Sequence, residues 1–221
     1  MTIALIEKTE TPAPRKASRE SRREQLIEAT IATIATNGLA RTTLTEVANA
    51  ARLSHGLVNF HFRSKDGLLS ETLLYLADEY HRNWTGALAA AGPTPAERLE
   101  ALIRADFAPA VSTPERLKAW CAFWGEAQSR PVYQATCGDN DRAYVATLEA
   151  TCAALLAETG AAHDPVRVAR ILRVTIEGTW LDLITLSAPY SRDEALATAL
   201  TCAAAFFPGV FDAGGLSSRP A

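Results

Sequence analysis

The sequence lacks the short motifs by which many enzymes can be recognised. It contains no G-x-S-x-G, no glycine-rich phosphate loop, no H-E-x-x-H and no paired carboxylates with supporting neighbours. Its four histidines are scattered along the chain. We therefore expect a protein that is not an enzyme, with no catalytic residues, no cofactor and no metal site.

Cysteine pairs and long apolar runs are also missing. The four cysteines show no CxxC pairing or metal-type spacing, which is typical of buried, reduced thiols in a cytosolic protein. The apolar run near the N-terminus is too short for a signal peptide. The longest uncharged stretch, residues 195–211, is interrupted by Pro208, so it does not predict a membrane span. We expect a cytoplasmic protein with no membrane partner.

The charge of the chain is unevenly distributed. The formal net charge is -3, yet residues 15–65 contain nine basic and four acidic residues. Residues 66–221 contain twelve basic and nineteen acidic residues. This difference favours a basic amino-terminal module on an acidic body, although an excess of a few charges is also common on solvated faces.

Hydrophobic spacing and capping residues predict helices along most of the chain. Within residues 18–36 apolar positions recur every three or four residues, and Gly38 follows as a helix stop. Thr43, Thr94 and Ser191 each precede a glutamate by three residues, which is the pattern of a capping box. Alternating runs bounded by hairpin turns are absent. The sequence therefore predicts an all-α fold of about nine helices.

The segment TLTEVANAARLSHGLVNFHFRSKDGLL, which begins at position 43, predicts two short helices joined by a three-residue turn. With the helix that precedes them, they match the plan of a helix-turn-helix. Small and aliphatic residues suit the first helix to brace the second, whose polar side chains are then left to face a DNA groove. A solvated surface helix is the alternative explanation of these polar residues.

This segment resembles the helix-turn-helix of the TetR family of bacterial repressors. The family's Ser-x-Gly motif, aromatic cluster and Lys-x-x-Leu helix start correspond to SHG at 54–56, NFHF at 59–62 and KDGL at 65–68. Two residues depart from the pattern. Arg52 replaces the usual turn glycine, at a cost of about 1 kcal/mol or more if its backbone is left-handed. His61 replaces a tyrosine that contacts phosphate.

The resemblance implies DNA contacts for ten residues. Thr42 and Thr43 at one helix N-terminus, and Lys65 at another, would bind phosphate, because exposed amides and the helix dipole favour an anion. Asn59 is best equipped to contact a base edge, and His61 would donate to phosphate in place of the tyrosine. Phe60 and His61 could instead pack on the first helix. The full predicted set is Thr42, Thr43, Ser54, His55, Gly56, Leu57, Asn59, Phe60, His61 and Lys65.

The last two predicted helices are unusually apolar. Residues 165–187 are apolar nearly all round, and residues 195–207 form an alanine-rich face that ends in two phenylalanines. So much apolar surface predicts burial on both sides of a helix, which favours a homodimer through these two helices. A single buried helix in a monomer core is the alternative.

Two further segments contain aromatic residues with helical spacing. Trp120 and Trp124 lie four residues apart and are flanked by Phe123, a pattern that core packing also explains. Glu177 and Trp180 share one stripe of a later helix. An acid beside aromatic faces could form half of a cage for a cation with little hydrogen-bonding capacity. A surface pair of Glu177 with an arginine four residues earlier is the alternative.

The segments KAWCAFWGEAQSRPVYQ and IEGTWL resemble the carboxy-terminal domain of the BetI-type branch, the choline-responsive repressors of glycine-betaine synthesis genes. The resemblance implies a dimeric repressor that binds double-stranded operator DNA and is released by choline or a related quaternary ammonium compound. The predicted effector-binding residues are Trp120, Phe123, Trp124, Glu177 and Trp180. A TetR-type repressor that responds to an unrelated hydrophobic ligand is the main alternative, and a purely structural helical protein is a weaker one.

The sequence thus predicts four parts. Residues 1–17 are expected to be a disordered arm, and residues 18–66 a helix-turn-helix DNA-binding domain. Residues 67–208 are expected to form an effector-binding and dimerisation domain. Residues 209–221 are expected to be a flexible tail.

Overall fold

A computed structural model describes residues 14–126 and 131–217 of the chain. These segments contain nine helices and one short antiparallel hairpin, which confirms the predicted all-α fold. The elements are α1 (Pro14–Arg41), α2 (Leu44–Ala51), α3 (His55–Phe62), α4 (Lys65–Ala90), α5 (Pro95–Asp106), α6 (Pro114–Glu126), α7 (Pro131–Thr159), α8 (Pro165–Thr185), α9 (Arg192–Phe206), β1 (Phe211–Asp212) and β2 (Gly215–Leu216).

Most helix ends lie where the sequence signals place them. Gly38 has non-helical backbone angles that interrupt α1, close to the predicted stop. Thr43 and Thr94 each form a complete capping box with the glutamate three residues later. Ser191 caps α9 by accepting a hydrogen bond from the amide of Glu194. Local capping chemistry therefore fixes these boundaries.

The helices enclose two hydrophobic cores. The first core is formed by α1 to α4 together with one side of α6, and it contains Leu26, Val47 and Phe123. The second core is formed by α4 to α9 together with β1, with Leu102 and Leu172 among its fully buried members. Helices α4 and α6 contribute buried residues to both cores, and Cys137 of α7 also lies in the first, so these helices connect the helix-turn-helix to the rest of the molecule.

A charged cluster on α6 strengthens this connection. The Arg116 guanidinium donates to Glu79 on α4, with Nε–Oε2 and Nη2–Oε1 distances of 2.7 and 2.8 Å. It also donates to Glu28 on α1 at 2.9 Å, and the Tyr75 hydroxyl donates to the same carboxylate at 3.1 Å. One mostly buried cation therefore joins three helices at the junction between the two cores.

The two chain ends differ from the predicted arm and tail. Helix α1 already begins at Pro14, so the predicted arm is wrong for residues 14–17, and residues 1–13 lie outside the described part. The hairpin of β1 and β2 packs back on the body, where Phe211 is buried and Arg104 donates to the carbonyl of Gly214. The predicted flexible tail is therefore wrong for residues 209–217. The sequence did not predict the hairpin, because strands of two residues are too short to show an alternating pattern of polar and apolar residues. Residues 218–221 lie outside the described part.

The cysteines are unpaired, and only two of the four are buried. Cys137 and Cys152 are enclosed, and burial raises the pKa of each thiol to about 12. Cys121 and Cys202 are partly exposed, contrary to the expectation that all four are buried. Among the described helices, none is both long enough and apolar enough to cross a membrane.

Candidate DNA-binding surface and candidate effector cavity

The turn between α2 and α3 projects α3 from the body. Arg52 has φ 55° and ψ 40°, the left-handed conformation considered from the sequence, and its amide donates to the carbonyls of Ala48 and Asn49. The Ser54 hydroxyl then accepts a hydrogen bond from the amide of Leu57 and begins α3. These two local interactions set the angle between the helices, at a cost of about 1 kcal/mol or more for a left-handed arginine.

One face of α3 is buried and the opposite face is open. Val58 and Phe62 are buried, whereas Ser54, His55, Gly56, Asn59 and Phe60 are exposed and Leu57 is half-buried. The Asn59 side-chain amide lies 3.0 Å from Nδ1 of His55. The exposed face therefore presents polar groups at helical spacing.

Gly56 supports a close approach by a partner. A Cβ atom built at this position would meet nothing within 4 Å, so the fold itself does not require glycine. Glycine inside a helix costs about 1 kcal/mol relative to alanine. The missing side chain leaves the α3 backbone accessible, which suits a helix that enters a DNA groove.

Phe60 and His61 are in different environments. Phe60 is 63% exposed, and its ring is contacted by the Arg19 guanidinium at 5.5 Å from the centroid. Phe60 therefore contacts the first helix through Arg19 while most of its ring stays exposed, so neither alternative for this residue is removed. His61 is half-buried, and its pKa is lowered by burial and by the charges of Arg19 and Arg23. A neutral imidazole still has one N–H to donate.

The three predicted phosphate-binding residues are placed differently from one another. Thr42 is buried and its hydroxyl donates to the carbonyl of Gly38 at 2.9 Å, so the structure contradicts an exposed phosphate-binding role for this side chain. Thr43 is exposed, but Glu46 already accepts its amide at 2.9 Å. The Lys65 amine donates to the carbonyl of Ala40 at 2.9 Å, beside the α1–α2 junction.

A cavity of about 290 Å³ lies in the other half of the molecule, among α4 to α8. Its walls are mainly aromatic. The Trp124 and Trp180 rings are nearly parallel, with centroids 6.2 Å apart, and Trp120 lies 6.2 Å from Trp124. The Tyr80 ring stands edge-on to Trp180 at 6.1 Å. Tyr144 completes these walls. Such ring faces attract a cation through their quadrupoles.

The polar lining of the cavity is mostly acidic. Asp106, Asp141 and Glu177 line it together with Arg173, whose guanidinium donates to Glu177 at 2.5 Å. Glu177 therefore both pairs with Arg173 and lines the cavity, so the two sequence-based alternatives occur together. Burial, followed by the charge of Glu177, raises the pKa of Asp141. Three carboxyl groups against one guanidinium favour a positively charged ligand.

Four of the five predicted effector residues line this cavity, namely Trp120, Trp124, Glu177 and Trp180. Phe123 does not line it. Its side chain is buried in the first core, because α6 turns the Phe123 side toward α1 and the Trp124 side toward the cavity. The inclusion of Phe123 is therefore corrected by the structure.

Sequence reasoning missed Tyr80, Asp106, Asp141 and Tyr144. Asp106 did leave a signal, because it continues the apolar stripe of Leu99, Leu102 and Ile103 at helical spacing. An acid on a buried stripe is unusual and marks a candidate functional group. The two tyrosines gave no comparable signal, since tyrosine is common at the edges of helical cores.

Two known protein families match the two parts of the chain. Residues 26–72 match the family described as bacterial regulatory proteins, tetR family, and residues 95–208 match the one described as BetI-type transcriptional repressor, C-terminal. The HTH-type transcriptional regulator BetI of Paraburkholderia xenovorans is 34% identical over 186 residues, which cover 84% of this chain and 93% of that protein. The chain therefore belongs to the TetR family of transcriptional regulators and has a BetI-type C-terminal domain.

Solved structures show the same fold. A transcriptional regulator from Pseudomonas aeruginosa PAO1 superposes with a TM-score of 0.71 at 28% identity and covers 86% of this chain and 92% of its own. A transcriptional regulator from Saccharomonospora viridis, solved in complex with choline, has a TM-score of 0.69 at 20% identity, with 81% and 94% of the two chains covered. The relatives are regulators rather than enzymes, and this chain is a DNA-binding transcriptional repressor.

Proposed function

We propose that this repressor acts in the cytoplasm and is controlled by choline or a related quaternary ammonium compound that binds in the cavity between α4 and α8. The observation that carries the proposal is the combination of aromatic walls with an acidic lining. A quaternary ammonium ion offers no N–H donor, so aromatic faces and nearby carboxylates are its natural partners. The S. viridis regulator with bound choline shares the fold and supports this choice of ligand.

The alternative, a repressor that binds an unrelated hydrophobic ligand, is less well supported. An apolar ligand would leave Asp106 buried without a compensating charge, which is unfavourable. The carboxyl group of Asp106 already shows the effect of this burial, since its pKa is raised. A cation relieves that cost, whereas a fatty acyl compound does not.

The proposed homodimer uses the outer side of α8 together with α9. Ile171, Val174 and Leu181 are between 38% and 54% exposed, although they are large apolar residues on a helix whose other side is buried. Their spacing places them on one stripe. Pairing two copies through this stripe would remove it from water and place two α3 helices at half-site spacing. Val174→Glu is expected to give a monomer in sedimentation experiments.

The proposed coupling runs through α6. This helix carries Trp120 and Trp124 in the cavity wall and Arg116 in the cluster that reaches Glu28 on α1. A ligand that binds one arrangement of α6 more tightly would bias the position of α1 and of the helix-turn-helix. A difference of about 1–3 kcal/mol between the two states would change operator affinity roughly 5–150-fold.

Calorimetric titration of the purified protein with choline tests the effector. Saturable binding that is lost in Trp124→Ala is expected, because the stacked face opposite Trp180 disappears. Trp84→Phe is the matched control, since Trp84 is buried in the same core but does not line the cavity. A long-chain fatty acid serves as comparator. Binding of the fatty acid but not of choline would favour the alternative ligand.

A further inference from the structure

Asp106, the last residue of α5, forms hydrogen bonds to three aromatic side chains of the cavity wall. Its side chain is 1% exposed and lines the cavity. One carboxylate oxygen accepts the Tyr80 hydroxyl at 2.6 Å, and the other accepts the Tyr144 hydroxyl at 2.5 Å. Its main-chain carbonyl accepts the Trp180 indole N–H at 3.1 Å. One residue therefore orients three rings, carried by α4, α7 and α8, that form walls of the cavity.

The charge of Asp106 is incompletely compensated. Burial raises the pKa of this carboxyl group to about 7, even though the two tyrosine hydroxyls act in the opposite direction. The nearby charge of Glu177 on α8 raises it further. Asp141 on α7 is another acid of the same lining, and the one lining guanidinium, Arg173, already pairs with Glu177. The groups that face Asp106 therefore include two neutral donors and an acid.

A bound cation would change the protonation of the Asp106 carboxyl group. A positive charge inside a cavity of low dielectric favours the ionised form of a nearby carboxyl group. The proton that Asp106 holds in the empty cavity would then pass to solvent as the cation enters. A neutral ligand of the same shape would produce no such release.

We infer that Asp106 is the residue that makes the cavity selective for a cation, and that binding of the cation is coupled to loss of its proton. This inference rests on the proposed effector site and adds a specificity-determining residue and a pH response to it. In chemical terms, protonated Asp106, one water molecule and a free cation give ionised Asp106 beside the bound cation and one hydronium ion in solvent. No bond other than the O–H bond of the acid is broken.

The pair of probes is choline and 3,3-dimethylbutan-1-ol, in which a carbon atom replaces the charged nitrogen. Both are titrated calorimetrically into the full-length protein between about pH 6 and about pH 8, in two buffers with different ionisation enthalpies. For the wild-type protein the choline affinity should rise about tenfold over this range, with up to one proton released per ligand at the acidic end. The affinity for the neutral alcohol should stay constant.

Asp106→Asn is the main variant, because asparagine keeps the shape and can still accept from one tyrosine. Its choline affinity should be lower and independent of pH, while its affinity for the alcohol should be close to that of the wild type. Asp141→Asn is the matched control, since it removes an acid from the same lining but leaves both tyrosine hydrogen bonds in place. The choline affinity of this control should still depend on pH. The choline affinity of His81→Gln should depend on pH as well, and this result would show that the histidine next to Tyr80 does not cause the pH dependence.

Wild-type measurements alone can overturn the inference. Choline binding without pH dependence and without proton release would refute it, while the proposed effector would stand. Equal pH dependence for both probes would refute it too. If choline fails to bind at every pH, the proposed effector is wrong and the inference falls with it.

Discussion

Two polar clusters of the molecule differ in how they compensate a charge that is removed from water. At the junction of the two cores, Arg116 meets two carboxylates, so its charge is fully paired. In the cavity, Asp106 meets hydroxyl groups that carry no charge. The first cluster keeps its charges, and its hydrogen bonds to Glu79 raise the pKa of the guanidinium. In the second, burial raises the pKa of the carboxyl group to about 7, and the proposed cation would supply the missing charge. The Arg116 cluster therefore serves as a structural link between helices, whereas Asp106 is the group that we propose to respond to a ligand.

The largest expected effect follows from removing the cation of the first cluster. Arg116→Met keeps most of the apolar stem but leaves Glu28 and Glu79 without their partner. Breaking a buried ion pair costs about 3–5 kcal/mol, and the partial exposure of Glu28 reduces this to roughly 2–3 kcal/mol. Urea denaturation measures the change.

The control for this substitution is Arg142→Met. Arg142 pairs with Asp139 at the surface, where both side chains are mostly exposed, so little change is expected. If Arg116→Met were as harmless as the control, the cluster would not be the link between the two cores that we describe.

The second prediction concerns pH and the other cluster. The pKa of Asp106 lies near 7 in the folded protein and near 3.8 ordinarily, so between these values the folded state holds a proton that the unfolded state has lost. Stability should therefore fall as the pH rises through this window. Relative to wild type, Asp106→Asn should gain about 1–2 kcal/mol between about pH 5 and about pH 7.

The same denaturation series distinguishes the two clusters. The deficit of Arg116→Met should stay nearly constant over this range, because a guanidinium does not lose its proton. Parallel pH profiles for wild type and Asp106→Asn would show that Asp106 does not titrate in the window.

A smaller effect is expected when one hydroxyl donor is removed. Tyr144→Phe should cost about 1–2 kcal/mol near pH 8, where Asp106 is ionised and accepts a charge-assisted bond. The cost should shrink near pH 5, where the carboxyl group is protonated. Tyr190→Phe is the control, because its hydroxyl donates to the partly exposed Asp182. A pH-independent cost for Tyr144→Phe would argue against an ionised acceptor.

The smallest effect on stability is expected at the DNA-binding surface, where charges stay in water. Lys65→Ala should leave the free energy of unfolding almost unchanged, yet weaken binding to all DNA sequences and lower the salt slope by about one per subunit. Asn59→Ala should instead relax base preference with little change in slope. Filter binding at several salt concentrations separates the two. Identical behaviour of both variants would contradict the assigned roles.

Local chemistry made the helices and the helix-turn-helix predictable from the sequence. Capping boxes at Thr43 and Thr94 act within four residues, and the left-handed Arg52 follows from the short turn. The burial of Thr42 was not predictable in this way, because it depends on where the Gly38 interruption directs the chain.

The cavity could be predicted only in part. Trp124 and Trp180 were found because each lies on a recognisable helical stripe. Asp106 and its tyrosine partners are separated by 26 and 38 residues, and a helical wheel describes one helix at a time. Which faces of the five helices that line the cavity meet is decided by tertiary packing.

The arrangement of the indole rings has a practical consequence for observing this repressor in solution. All four tryptophans lie on α4, α6 and α8, three of them in the cavity wall, and the helix-turn-helix contains none. The intrinsic fluorescence of the protein therefore comes from the effector half. Ligand entry will be visible without a label. An emission change on addition of operator DNA would report a movement transmitted across the molecule, since no tryptophan lies on the DNA-binding surface.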